Sequence, residues 1–180
     1  MVNLPPDFCP YCGTKLETVE EPTIYRCESC DDYVFHNPCP AGGVAVLDGD
    51  SILLVEDFRS SGEWKLPEGR VECGESPREG VARELEEETG LTVDPAVLTY
   101  FHDSAGEPVE NQYMANVDFA VERSETAGTL DAGSDAIDAR FWTPEEFADS
   151  DQSFRASHLD RFGNDDIEWL RDTARLALEG

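Results

Sequence analysis

Residues 69–91 read GRVECGESPREGVARELEEETGL, and this stretch decides the fold. Glu84, Glu87 and Glu88 stand at i, i+3 and i+4. At about 3.6 residues per turn, that spacing puts three carboxylates on one face of a single helical turn. Like charges so placed destabilise an isolated helix by roughly 0.2–0.5 kcal/mol per pair, so their accumulation points to a cation held between them. Hard oxygen donors suit Mg²⁺ or Mn²⁺, the ions of phosphate chemistry. The helix is specified at both ends. Ser76-Pro77-Arg78-Glu79 is a capping box with proline at the first helical position, and Gly90 supplies a left-handed stop. Val81 and Leu85 form the expected buried stripe, opposite the acidic corner. Ahead of the helix, Leu66-Pro67-Glu68-Gly69 and Gly74 make a constrained loop in which backbone carbonyls can approach an ion. Glu75 and Arg83 carry the right charges to tie loop to helix.

Written as a pattern, the stretch is G-x5-E-x7-R-E-U-x-E-E-x-G-U, with U aliphatic and every fixed position filled. It resembles the signature box of the Nudix hydrolases, which cleave nucleoside diphosphates linked to another moiety. The resemblance implies that Glu84, Glu87 and Glu88, with the Gly69 carbonyl, are the ligands of a catalytic Mg²⁺ or Mn²⁺. It also makes Arg83 and Glu75 the ion pair that braces them. Glu86 falls at a variable position and is left out. The general base is left open among a box glutamate, Asp135 and Asp138. The motif covers 69–91; the organisation of the family extends over 41–180.

The chain outside the box alternates strand and helix signals. Residues 41–47 and 52–56 flank Asp48-Gly49-Asp50, a hairpin signal. Residues 64–66, 97–102, 112–121 and 139–142 read as strands, and Tyr113, Ala115, Val117, Phe119 and Val121 alternate as though one face were buried. Thr143-Pro144-Glu145-Glu146 opens a short helix, and a last helix is expected over 165–178 with Asn164 as its cap. Residues 122–135 and 149–163 read as surface loops. The fold class is α/β: a mixed sheet between helices, an α/β/α sandwich, which is also the fold that the resemblance implies.

Four of the six cysteines form two pairs, Cys9-Pro-Tyr-Cys12 and Cys27-Glu-Ser-Cys30, with 14 residues between them. Two C-x2-C knuckles at this separation suit a tetrahedral Zn²⁺ thiolate site and resemble a zinc ribbon. Two disulfides are the rival, opposed by the paired spacing and by an N-terminus, MVNLPPDFCP, that lacks the basic and apolar regions of a secretory signal. A segment of about thirty residues buries too little apolar surface to fold alone, so the metal supplies folding energy. Cys39 and Cys73 read as ordinary thiols, and His36 as a structural histidine. The expected organisation is a ribbon over 1–38 and a hydrolase domain over 39–180.

Composition sets the surroundings. The 180 residues carry 13 basic and 40 acidic side chains, a net charge of −27, and Lys15 and Lys65 are the lysines. So acidic a chain resembles cytoplasmic proteins of extreme halophiles, whose self-repulsion molar salt screens. It disfavours nucleic acid as a partner. No apolar run approaches the ~18 residues of a membrane span, so a cytoplasmic protein is expected. The partner is a small nucleotide substrate, with a homodimer left open. A ribbon before such a box resembles NADH, FAD and ADP-ribose pyrophosphatases, and dinucleoside polyphosphates are also in range. The SQPWPFP-type motif of the NADH enzymes does not occur. The alternative function is a ligand sensor or zinc-ribbon interaction protein that binds without hydrolysis.

Overall fold

The computed structural model describes residues 4–133 and 136–180. The chain divides into two compact units, Met1–Cys39 with Ala105–Ala115, and Pro40–Ser104 with Asn116–Gly180. In the first, β1 (Glu17–Glu20), β2 (Ile24–Cys27) and β3 (Asp32–Phe35) form an antiparallel sheet in that order. Its small core is Cys9, Leu16, Tyr25 and Cys27.

The second unit is built on an eight-stranded sheet. In chain order it runs β4 (Cys39–Asp48), β5 (Ser51–Asp57), β6 (Glu63–Lys65), β7 (Glu68–Arg70), α1 (Pro77–Thr89), β8 (Thr92–Val93), β9 (Thr99–Val109) and β10 (Gln112–Glu122). There follow β11 (Thr126–Ala127), β12 (Ala136–Trp142), α2 (Pro144–Ala148), β13 (Ser153–Phe154), α3 (Ala156–Phe162) and α4 (Ile167–Glu179). The main path is β13-β6-β5-β4-β10-β9, with β12 added on β5 and β7 on β4. Parallel β13–β6 pairing makes the sheet mixed.

Alternation along β4 explains the layers. Val44 and Val46 enter one core with Val81 and Leu85 of α1; Ala45 and Leu47 enter the other with Phe147, Phe162, Leu170 and Ala174. The sheet is therefore covered on both faces, the expected sandwich. At about 25 cal/mol per Å² of apolar surface, this two-faced burial is the main force holding α1 in place. No helix among the described residues is long and apolar enough to cross a membrane.

Several boundaries differ from expectation. A 3₁₀ turn at Pro95–Val97, capped by Asp94, delays β9 to Thr99, and the strand then runs on to Val109. In β10 the alternation fails: Ala115 is exposed, while Asp118 and Ala120 on the opposite face are buried, because helices cover both sides there. The last helix starts at Ile167, where the Asp166 side chain accepts from the amides of Glu168 and Trp169, and Asn164 caps nothing but the Asp166 amide. Residues 149–163 are not simply a loop. Phe154, His158 and Phe162 stack in sequence, with ring centroids 3.8 and 4.6 Å apart, and this aromatic column organises β13 and α3.

Candidate active site

The capping box and the left-handed Gly90 form as the sequence dictates, so α1 begins and ends where expected. Its carboxylates do not share one environment. Glu88 lies seven residues after Val81 and three after Leu85, on the apolar stripe itself, and is only 5% exposed. Lys65 Nζ donates to its Oε1 at 2.7 Å, and the Glu68 amide to its Oε2 at 2.9 Å. Burial pushes the Glu88 carboxyl up to about 7, against the pull of Lys65.

Glu84 and Glu87 are held by Arg83, whose Nη1 donates to Glu84 Oε1 at 2.8 Å and to Glu87 Oε2 at 3.1 Å. The same guanidinium grips Glu75 from Nε at 2.9 Å and Nη2 at 3.1 Å, and reaches the Arg70 carbonyl at 2.8 Å. This charge-assisted pairing holds the Glu75 carboxyl below its usual range and raises Arg83. The structure thus joins loop to helix through Glu75 and Arg83.

Gly69 is where the loop touches the carboxylates. A β-carbon there would lie 2.0 Å from Glu84 Cδ and would push that carboxylate aside, so glycine lets the backbone and this carboxylate lie together. On the other side, Gly133 donates its amide to the Glu88 carbonyl at 2.9 Å, and Asp131 to that of Thr89 at 2.9 Å. A β-carbon on Gly133 would meet the Glu87 carbonyl oxygen at 1.7 Å. The segment before β12 therefore packs on the helix end. Of the two acids considered as base, Asp138 is exposed and accepts from the Ala139 amide, and Asp135 lies outside the described residues.

Sequence reasoning missed the ring of charge behind the carboxylates. Glu68 pairs with Arg161 of α3, which also grips the fully buried Asp118 of β10, Nε to Oδ2 at 3.0 Å. The Gly43 amide donates to Asp118 Oδ1 at 3.0 Å. Burial pushes the Glu68 carboxyl up, but Arg161 and Lys65 outweigh it and leave it below its usual range. The signal was an acid inside the apolar run Val117–Val121 and a cation beside Phe162 in the aromatic column.

The donor set fits a hard divalent ion: three carboxylates on one helix, with a glycine backbone laid against Glu84. As they stand, the three are drawn apart toward Arg83 and Lys65. Among the described residues, the four cysteines are the group whose ligand atoms all lie within 4.8 Å of one another. Cys9 Sγ is 3.9 Å from Cys30 Sγ, and Cys12 Sγ is 3.5 Å from Cys27 Sγ. Sulfurs bound to Zn²⁺ at about 2.3 Å stand about 3.8 Å apart, so this cluster fits the ion, and no pair is a disulfide. The Thr14 hydroxyl and backbone hold the Cys12 thiol down at about 6, toward the thiolate that Zn²⁺ takes. Two concavities, about 510 Å³ beside Arg175 and about 680 Å³ beside Arg171, touch none of the box residues.

Comparison with known proteins bears on the fold and the family. Over 87 residues the chain is 33% identical to the NAD-capped RNA hydrolase NudC of Pseudomonas aeruginosa, covering 48% of this chain and 31% of that protein. Over 90 residues it is 44% identical to an octanoyltransferase of Myxococcus xanthus, covering 47% and 25%. The match thus spans a third or less of these two curated relatives. Among solved structures, a NUDIX hydrolase from Nitrosomonas europaea superposes with a TM-score of 0.62 at 21% identity, covering 78% of this chain and 80% of that one. The NUDIX domain model matches residues 38–162, which contain the sheet, the box helix and the Arg161 network together, and the chain accordingly belongs to the NUDIX domain family.

Proposed function

We propose that this chain hydrolyses the diphosphate bond of a small nucleoside diphosphate linked to another moiety, with Mg²⁺ or Mn²⁺ as cofactor. NAD(H) and ADP-ribose head the candidates, with FAD and dinucleoside polyphosphates behind them. The observation that carries the reading is the approach of the Gly69 backbone to Glu84 within a complete box. Glu84, Glu87 and Glu88 are the proposed metal ligands, with the Gly69 carbonyl as a fourth. When bound, the ion neutralises the diphosphate and lowers the pKa of the attacking water. Arg83 fixes where Glu84 and Glu87 stand and ties both to Glu75. Lys65 and the Glu68 amide hold Glu88 beside the loop, and binding an ion would turn the three carboxylates from these partners toward one another. Zn²⁺ on Cys9, Cys12, Cys27 and Cys30 is proposed to hold a structural ribbon over 1–38, ahead of a hydrolase domain over 39–180.

The relatives named as NAD-capped RNA hydrolases favour an NAD-type dinucleotide. The net charge of −27 favours the free nucleotide over an RNA chain, whose phosphates it repels. The test is a panel in molar KCl with Mg²⁺ or Mn²⁺: NADH, NAD⁺, ADP-ribose, FAD, diadenosine polyphosphates, nucleoside triphosphates and NAD-capped RNA, with products separated by chromatography. Cleavage of NAD(H) or ADP-ribose to two monophosphates is the expected result. Silence from folded, zinc-loaded protein contradicts the reading and favours a ligand sensor.

A further inference from the structure

Lys65 has two carboxylates beside it and bonds to one. Its Nζ donates to Glu88 Oε1 at 2.7 Å, while Glu68 Oε1 stands 4.0 Å away, beyond the roughly 3.2 Å reach of an N–H···O bond. Among the described residues that oxygen accepts no hydrogen bond; Arg161 holds the other one, Oε2. The ammonium also reaches the Glu68 carbonyl at 3.3 Å, so it already lies against the residue whose carboxylate it does not engage. Arg161 does not depend on Glu68 for its charge balance. The fully buried Asp118 takes it along two N–H groups, Nε at 3.0 Å and Nη2. Arg59 and Arg155 also act on Glu68, but both are bound to Asp57. One oxygen of Glu68 is thus left facing Lys65.

An ion held by Glu84, Glu87 and Glu88 changes the surroundings of Lys65. Glu88 turns from the ammonium toward the ion, and Lys65, only 5% exposed, is left without its partner beside a divalent cation. A buried charge deprived of its partner is strongly unfavourable, and a neighbouring cation makes it worse. A movement of about 1 Å brings Nζ within bonding distance of Glu68 Oε1. With Glu88 given to the ion, Lys65 and Arg161 are then matched one for one by Glu68 and Asp118.

We propose that Glu68 is the carboxylate that receives Lys65 when a divalent ion takes Glu88, which makes it a positioning residue of the metal site. The ammonium keeps its charge and exchanges one carboxylate for the other; no proton moves. The exchange also serves the loop. Glu88 gives up the Glu68 amide as it turns, and the new bond from Lys65 holds the same residue, whose neighbour Gly69 offers its carbonyl to the ion. The proposal rests on the hydrolase reading for Glu88 as a metal ligand, though not for which nucleotide is cleaved.

The test follows Mn²⁺ binding through the electron paramagnetic resonance signal of the free ion, for wild type, Glu68→Gln, Lys65→Met, the two together, and Glu88→Gln. Glu68→Gln is expected to weaken Mn²⁺ binding about tenfold by itself and less than about threefold when added to Lys65→Met, where no ammonium needs a new partner. An equal cost in both backgrounds is what a merely loosened loop gives, and it overturns the transfer; so does wild-type affinity in Glu68→Gln. Weakened binding in Glu88→Gln alongside either result leaves the ligand assignment standing without the transfer. Wild-type affinity in Glu88→Gln, or a wild type that binds no Mn²⁺, overturns the assignment and the transfer with it. Should Glu68→Gln fail to fold, the ¹⁵N resonance of the Lys65 ammonium in wild type decides, in a chain with just two lysines. Saturating Mg²⁺ is expected to shift it while it stays protected from exchange with water; an unshifted signal, or one lost to exchange, overturns the transfer.

Discussion

Lys65 Nζ lies 2.7 Å from Glu88 Oε1, with both side chains almost wholly removed from water. The box helix thus places one acid on its apolar stripe and meets it with one of only two lysines in the chain. Removing one member of a buried pair strands the other's charge, which costs about 3–5 kcal/mol. Lys65→Met is therefore expected to lose stability on that scale in denaturant unfolding, less whatever protonation of Glu88 relieves. Lys65→Met with Glu88→Gln is expected to recover part of it. Wild-type stability in the single variant contradicts the pairing.

Gly69→Ala tests the close approach of loop and helix. The new methyl would overlap Glu84 Cδ, and the carboxylate, at the end of a flexible side chain, is what gives way. The expected outcome is a loss of about tenfold or more in kcat/KM with a folded circular dichroism spectrum, since a displacement of ~1 Å at a reacting site carries penalties of that order.

His158 sets an acid limit on stability. Burial holds its imidazole down at about 4, with Glu68 pulling it up and Arg161 opposing. In the unfolded chain it protonates near its ordinary 6.5. Between these values the unfolded state binds more protons, so stability falls as pH drops from about 6.5 toward 4. The loss amounts to about 3 kcal/mol at most, at 1.36 kcal/mol per pH unit. Its Nε2 has no partner among the described residues, so His158→Phe sacrifices no hydrogen bond at that atom and keeps a ring against Phe154. Unfolding curves of the variant across that window should be flatter than wild type. Asp57 acts lower, its carboxyl held down at about 2 by Arg59 and Arg155 despite burial; its stabilisation is lost as pH falls from 3.8 through 2.

The cysteine cluster predicts one Zn²⁺ per chain by elemental analysis. Cys27→Ser removes a fully buried ligand and is expected to abolish that stoichiometry and the protease resistance of residues 4–39. Retention of stoichiometric zinc in this variant contradicts the site.

The box and the knuckles were legible because each is local. A capping box, a glycine stop and carboxylates three and four residues apart all lie within one helix, and the sulfur spacing within one hairpin. What could not be read is what distant residues do to them. Glu88 looked like one corner of an exposed acidic face, yet the stripe of Val81 and Leu85 carries it into the core, where Lys65 of β6 and the Glu68 amide make it tolerable. Arg161 stood in a stretch read as loop, since α3 spans just seven residues and its cap residue, Arg155, makes no side-chain capping bond. The i, i+4 spacing of Phe154, His158 and Phe162 was the overlooked trace of that helix.

The most direct measurement is hydrolysis of NAD(H) and ADP-ribose by wild type, Glu87→Gln and Glu88→Gln, each titrated with Mg²⁺ and Mn²⁺ in molar KCl. The account predicts metal-dependent cleavage to two monophosphates by wild type. In both variants it predicts a fall in kcat of about a hundredfold or more, on the scale of removing one electrostatic contact to the transition state, with wild-type stability in Glu87→Gln and a loss of stability in Glu88→Gln, which strands Lys65 from its nearer carboxylate. Wild-type turnover in both variants would contradict it.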